Sequence, residues 1–221
     1  MSMTITRKQG RPGTALAALL LLSTAVVLAT GGPAAANEEC EPDPVGITFI
    51  GGVGNDVFVG GAGNDTFIGN GGNDTLIGNG GDDRFDGGPG DDQISGGDGE
   101  DIISGGDGDD TISGGLCDDK IAGDGGADRA RGDEDDDVVE GNAGDDVLEG
   151  NPGLDTVRGG DGEDRLNGGN GDDVLGGGAQ DDDLAGGAGV DELTGGLGTD
   201  VGDGGPNVDA LCDTEVVLNC P

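Results

Sequence analysis

From Gly51 onward the chain reads in nines. Eighteen consecutive nonapeptides run from Gly51 to Cys212 with no insertion or deletion, beginning "GGVGNDVFV" (51–59), "GGAGNDTFI" (60–68) and "GNGGNDTLI" (69–77). Position 1 is Gly in all eighteen units, and position 6 is Asp in all eighteen. Position 4 is Gly in fourteen, the exceptions being Cys117, Asp135, Gln180 and Asn207. Position 8 is Val, Leu, Ile or Phe in sixteen and fails only at Ala130 and Gly202. With 54 Gly and 8 Pro among 221 residues, the composition alone would indicate a low-complexity coil, but that reading holds only where no period exists. A flexible linker needs neither a hydrophobe in register nor an invariant Asp.

Each position has a physical meaning. Gly at positions 1, 2 and 4 lets the backbone take positive φ and turn tightly, which brings carbonyls towards one point. Asp at position 6 adds a carboxylate to those carbonyls. Oxygen-only ligands, some charged and some backbone, suit a hard cation such as Ca²⁺. Positions 7 to 9 are rich in β-branched residues and predict a three-residue strand, with position 8 pointing opposite to 7 and 9. The single hydrophobe at position 8 can be buried only by stacking on copies of itself, so the units must form an array.

The phrase GGxGxDxUx, with U a large apolar residue, resembles the nonapeptide of the repeats-in-toxin (RTX) family. The resemblance covers residues 51–212. It implies an all-β fold, a right-handed parallel β-roll of about nine 18-residue coils with two nonapeptides per coil. Units of the same parity then stack, and Ca²⁺ lies between successive loops on each side. The metal ligands carried over are the position-6 carboxylates: Asp56, Asp65, Asp74, Asp83, Asp92, Asp101, Asp110, Asp119, Asp128, Asp137, Asp146, Asp155, Asp164, Asp173, Asp182, Asp191, Asp200 and Asp209. Asp56 would face Asp74 across one ion, and Asp65 would face Asp83 on the other side. Nine coils leave eight gaps on each side, hence up to about 16 ions. At a strand spacing of about 4.8 Å the rod would be roughly 43 Å long. The weakest loops are expected near residues 117–137 and 180–209, where "GGLCDDKIA", "GDGGADRAR", "GDEDDDVVE" and "GGPNVDALC" depart from the pattern.

Charge points the same way. Residues 1–36 read as a cleavable N-terminal signal: Arg7, Lys8 and Arg11 precede an apolar run from Ala15 to Ala29, and Ala34-Ala35-Ala36 offers small residues for cleavage. The run is short for a bilayer span, so secretion to the extracellular space, with a mature start at Asn37, is the expectation rather than membrane insertion. Without that segment, 9 − 3 = 6 Lys+Arg stand against 47 Asp+Glu, a net charge of −41. Such a chain repels nucleic acid, whose binding needs basic groups to displace counterions. Unaided it also repels itself. Sixteen Ca²⁺ would contribute +32 and bring −41 to −9.

The ends read as caps: 37–50 as an N-terminal cap segment whose "TFI" (48–50) copies the following strands, and 213–221 as a C-terminal cap strand around "EVVLN". Four cysteines in an exported chain suggest two disulfides, taken as Cys212–Cys220 and Cys40–Cys117. There is no His, Trp or Tyr, which excludes His-based acid–base catalysis and a Ser-His triad. Adjacent acids such as Asp172-Asp173 are rim and ligand positions of one loop, so no enzyme is expected. Calcium ions are the expected partner. The alternatives from other classes are an extracellular adhesin or surface-layer module with a cell-surface or matrix partner, and an accessory partner of an enzyme.

Overall fold

A computed structural model describes the side chains of residues 46–207, together with the backbone of Val26–Leu28, Leu211–Asp213 and Val216–Leu218. Strands from alternate nonapeptides build two parallel sheets. One runs from Val26–Leu28 through Val57–Val59, Thr75–Gly80 and Gln93–Asp98 to Val201–Asp203 and Val216–Leu218. The other runs from Thr48–Ile50 through Thr66–Ile68 and Arg84–Pro89 to Glu192–Leu197 and Leu211–Asp213. Neighbours in each sheet are one coil apart, so Leu76 pairs with Ile94 and Ile94 with Ile112. The result is a right-handed parallel β-roll of about nine turns, with two nonapeptides per turn. None of the described residues forms a helix long and apolar enough to cross a membrane.

Among the described residues the position-8 side chains form the core column, with Ile47 packed against it. Phe49, Phe58, Phe67, Leu76 and Phe85 begin a single column of buried apolar residues that runs to Leu193, each at most 4% exposed. Positions 7 and 9 flank it on the outside, as the alternation of a pleated strand requires. Even Ala130, the weakest core residue, is fully buried. The column is not uniform. All four Phe lie at its N-terminal end, where Phe67 stacks on Phe49 at 4.9 Å and on Phe85 at 4.6 Å between ring centroids. Stacked rings add about 0.5–1.5 kcal/mol per pair beyond their area, so the first coils are held more tightly than those built on Ile, Val and Ala.

Most strands are longer than the three residues expected. From Thr75–Gly80 to Glu192–Leu197 each strand spans six residues, positions 7 to 9 and on through 1 to 3 of the next unit. Position 2 there takes positive φ without breaking the ladder, for example Asn79 at 77° beside Gly97 at 124°. The departures from the repeat are absorbed in the same way. Cys117, Asp135 and Gln180 replace turn glycines yet adopt φ of 80°, 78° and 85°, a conformation that L residues visit sparingly. Cys117 is buried and is not a free thiol, and its partner is not among the described side chains.

The two ends differ. Thr48–Ile50 pairs with Thr66–Ile68 and lays Phe49 on Phe67. Within the segment read as a leader, Val26–Leu28 pairs with Val57–Val59. At the other end the period of eighteen fails. Leu193 pairs with Cys212, nineteen residues on, where the repeat would supply Leu211. Val216–Leu218 then pairs beside Val201–Asp203 at the edge of the other sheet. The last nonapeptide is therefore one residue out of frame, and Asp209 lies outside the described residues.

This core geometry predicts a graded response to truncation. Phe67→Ala should cost about 3–5 kcal/mol and Ile94→Val about 0.5–1.5 kcal/mol, read as a shift in urea midpoint at saturating calcium. Equal small effects from both would contradict a single stacked column.

Candidate metal site

Each position-6 Asp sits at the mouth of a strand, one residue before the strand begins, and turns inward. From Asp56 to Asp200 these carboxylates are at most 3% exposed. From Asp65 onward, one oxygen of each is used to bind the coils together. Asp74 N–H donates to Asp92 Oδ1 at 2.7 Å, and Asp101 N–H donates to Asp119 Oδ1 at 2.8 Å. The backbone carbonyl of the same residue serves the next coil as well, since Thr75 N–H donates to Asp56 O at 2.9 Å. The Asp column is thus part of the backbone ladder, which explains why no unit replaces it with Glu: a longer arm would miss the N–H one layer away.

The second oxygen is different. From Asp74 to Asp182, at every ninth residue, Oδ2 is buried and accepts no hydrogen bond. A buried acceptor without a partner costs about 1–3 kcal/mol, and more when charged. Here the cost recurs at every layer, along two columns of like charges at strand spacing. Burial accordingly pushes the carboxyls up, with the backbone N–H bond opposing and neighbouring carboxylates adding to the rise. Asp83 and Asp119 reach about 8, and Asp101, Asp110, Asp137 and Asp146 about 7.

Beside each orphaned oxygen lies position 1 of the same unit. A Cβ on Gly96 would run into Asp101 Oδ2 and come within 2.6 Å of the Gly114 carbonyl oxygen. The same pair of neighbours, own-unit Oδ2 and next-coil carbonyl, recurs at Gly78, Gly114 and Gly159. This is the reason position 1 is Gly throughout: its missing side chain leaves a small, oxygen-lined space. Among the described residues no three acidic, His or Cys side chains cluster as a metal site. That is expected when carbonyls supply most ligands and each layer adds one carboxylate. The donor set fits a hard cation, with oxygen atoms only, one charge per layer, and an acceptor that nothing in the protein satisfies.

Position 5 carries a second ladder that the repeat phrase does not disclose. Asn73 N–H donates to Asn55 Oδ1 at 3.1 Å, Asp109 N–H to Asp91 Oδ1 at 3.2 Å, and Leu154 N–H to Asp136 Oδ1 at 2.8 Å. The rim Asn and Asp therefore stitch successive loops in the direction opposite to the position-6 bonds. A signal was present: Glu100, Ala127, Leu154, Glu163, Val190 and Thr199 each follow, eighteen residues on, a unit with Asn or Asp at position 5. Of the ligands read from sequence, Asp56 to Asp200 stand in the two columns, and Asp209 alone falls outside the description.

Two outcomes follow from this geometry. Gly96→Ala should raise the calcium midpoint and cost about 1–3 kcal/mol, as overpacking does, whereas Gly176→Ala, which meets nothing within 4 Å, should leave both unchanged. The second concerns pH in chelator. A carboxyl raised from 3.8 to about 7 or 8 on folding contributes stability that is complete below the unfolded value and is lost as pH rises through the folded one. Circular dichroism of the calcium-free chain should therefore show more β structure near pH 4 than near pH 8. Because protons and cation compete for the same oxygens, the calcium midpoint should rise as pH falls towards 5. A pH-independent spectrum in chelator would contradict the buried carboxylate columns.

Comparison with known proteins supports the chemistry. The RTX calcium-binding nonapeptide repeat, taken four copies at a time, matches overlapping windows from 50–85 and 59–94 through to 176–211. No curated protein matches the chain. The repeat match spans nearly all of the roll, from the first cap strand to the last nonapeptide, and so the chain belongs to the RTX calcium-binding nonapeptide-repeat family.

Proposed function

We propose that this RTX-repeat protein is a secreted β-roll that folds on binding a row of Ca²⁺ along each side, up to about 16 ions, and that this folding is its direct activity. The observation that carries the reading is the orphaned Oδ2 repeated from Asp74 to Asp182. A protein that keeps so many acceptors buried without partners needs a cation at each layer to hold the fold. The core offers one side chain per nine residues, too little to order the coils against two columns of like charge, so metal binding and folding are one process. Residues 1–36 act as the cleaved signal in this reading. Cys212–Cys220 closes the C-terminal end and Cys40–Cys117 ties the N-terminal segment to the middle of the stack, which suits an oxidising compartment. The loops hold ions and bear no catalytic group.

An adhesin reading needs a regular outward array. The outward row of one sheet instead runs Val57, Thr75, Gln93, Thr111, Arg129, Val147, Arg165 and Asp183, a mixture with no repeat of shape or charge.

Calcium titration with circular dichroism tests the proposal. A coil spectrum is expected in chelator and a β spectrum at roughly 10⁻⁴–10⁻³ M Ca²⁺, the range of extracellular modules; a β spectrum that persists in excess chelator at neutral pH would refute it. Position along the stack should matter as well. Asp101→Ala, in the middle of a column, should raise the midpoint and lower cooperativity more than Asp56→Ala at its end, as nearest-neighbour repeats require. N-terminal sequencing of the exported protein should begin at Asn37.

A further inference from the structure

The first two loops are built differently from the rest. From Asn70 onward position 2 takes positive φ, at 71° in Asn70, 77° in Asn79 and 95° in Gly88, but Gly52 and Gly61 do not. Their N–H groups turn instead towards their own unit's carboxylate. Gly52 N–H donates to Asp56 Oδ2 at 2.8 Å, and Gly61 N–H donates to Asp65 Oδ2 at 3.0 Å. Asp65 is satisfied at both oxygens, because Ile47 N–H reaches its Oδ1 at 2.6 Å. The oxygen that is orphaned from Asp74 onward is therefore paired in these two loops by backbone dipoles, and no cation is needed to satisfy it. Their strands, Val57–Val59 and Thr66–Ile68, are also the short three-residue kind.

The same coils hold the best core. Phe49, Phe58, Phe67 and Phe85 are all buried, with Phe49–Phe58 centroids at 5.4 Å and the stacked pairs at 4.9 and 4.6 Å. Ile50, Val57, Val59 and Ile68 add apolar side chains on the outer faces. Beyond Phe85 the column carries no ring, thinning through Ile to Ala130 and Val139 before Leu and Val fill it to Leu193, while the orphaned carboxylates continue at every layer. In a solenoid each layer contacts only its neighbours, so order starts where intrinsic stability is greatest and spreads from there.

We infer that residues 47–68, backed by Phe85, form a calcium-independent nucleus, and that the cation-dependent coils are laid on it in one direction, from the N terminus towards the C terminus. The protein then responds to calcium as a ruler rather than a switch, with ordered length increasing with concentration. This rests on the reading that folding beyond the nucleus is calcium-coupled.

Hydrogen exchange followed by mass spectrometry on the whole exported chain, in chelator and then at stepped calcium, separates the possibilities. In chelator the amides of Gly51 and Thr66, which donate to the Ile68 and Ile47 carbonyls, should exchange at least about tenfold slower than those of residues 93–200, the signature of a locally stable unit. Protection should then advance from residue 75 towards residue 200 as calcium rises. Simultaneous protection of all coils, or protection that begins at the C-terminal end, would overturn the nucleus while leaving calcium-coupled folding intact. Full protection in chelator would instead remove calcium-coupled folding itself. A second readout needs no variant: with four Phe at 49–85 and no Trp or Tyr, phenylalanine emission reports only these coils and should already be native-like in chelator, while the far-ultraviolet signal still changes as calcium is added. Phe67→Leu, which keeps the site filled, should shift protection of the distal coils to higher calcium, whereas Leu184→Val should shift only the coils around it. Unchanged distal midpoints in Phe67→Leu would also overturn the proposal.

Discussion

Two columns of aspartate carboxylates, buried and stacked one coil apart, set the terms for everything else in this molecule. Like charges at strand spacing repel, and burial removes the water that would screen them. From Asp65 onward, one oxygen of each carboxylate is tied into the ladder as an acceptor for a backbone N–H of the preceding coil, so the column cannot swing out to solvent without unmaking the roll. The other oxygen has no protein partner through most of the stack. The fold therefore places its own charges where only a proton or a cation can accommodate them. Calcium-binding repeats and solenoid architecture are in this sense one property.

The glycines and the rim residues serve this arrangement. Position 1 must lack a Cβ because Oδ2 and the next coil's carbonyl occupy that direction. Position 4 is crowded from the other side, since a Cβ on Gly90 or Gly108 would run into the backbone carbonyl one coil back, and Cys117, Asp135 and Gln180 occupy it at positive φ at some conformational cost. Position 5 needs a short acceptor in one coil to hold the N–H of the next, and the following coil is then free to vary, which is how Ala127, Leu154 and Val190 are tolerated. A chain of so little chemical variety thus assigns a separate physical task to each position of the nonapeptide.

Much of this was legible in the sequence because the period is unbroken over so many units. The inward hydrophobe, the eighteen-residue layer spacing and the Asp columns follow from Gly, Asp and Leu recurring in nines, and the cap strand at Thr48–Ile50 from its likeness to the strand that follows. Three features were hidden for identifiable reasons. The position-5 ladder is masked because Asn and Asp alternate with residues that need supply no acceptor. The slip that pairs Leu193 with Cys212 depends on how the chain closes at its end, where neighbours no longer impose the frame. The hydrogen-bonded first loops use the same letters as later ones, Gly52 and Gly61 against Gly88 and Gly97, and differ only in φ. Identical residues adopt different turns there because the first layers have a neighbour on one side that is a cap rather than a repeat.

The central claim, that the orphaned oxygens are the seats of the cations, is open to a direct test. Crystals grown in calcium and measured for anomalous scattering should show a peak between successive coils on each side of the roll, within bonding reach of Asp Oδ2 and of backbone carbonyls, at layer after layer from Asp74 to Asp182. A well-ordered roll whose carboxylate columns carry no such peaks, or whose ions lie only among the position-3 and position-5 acids of the rim, would contradict it.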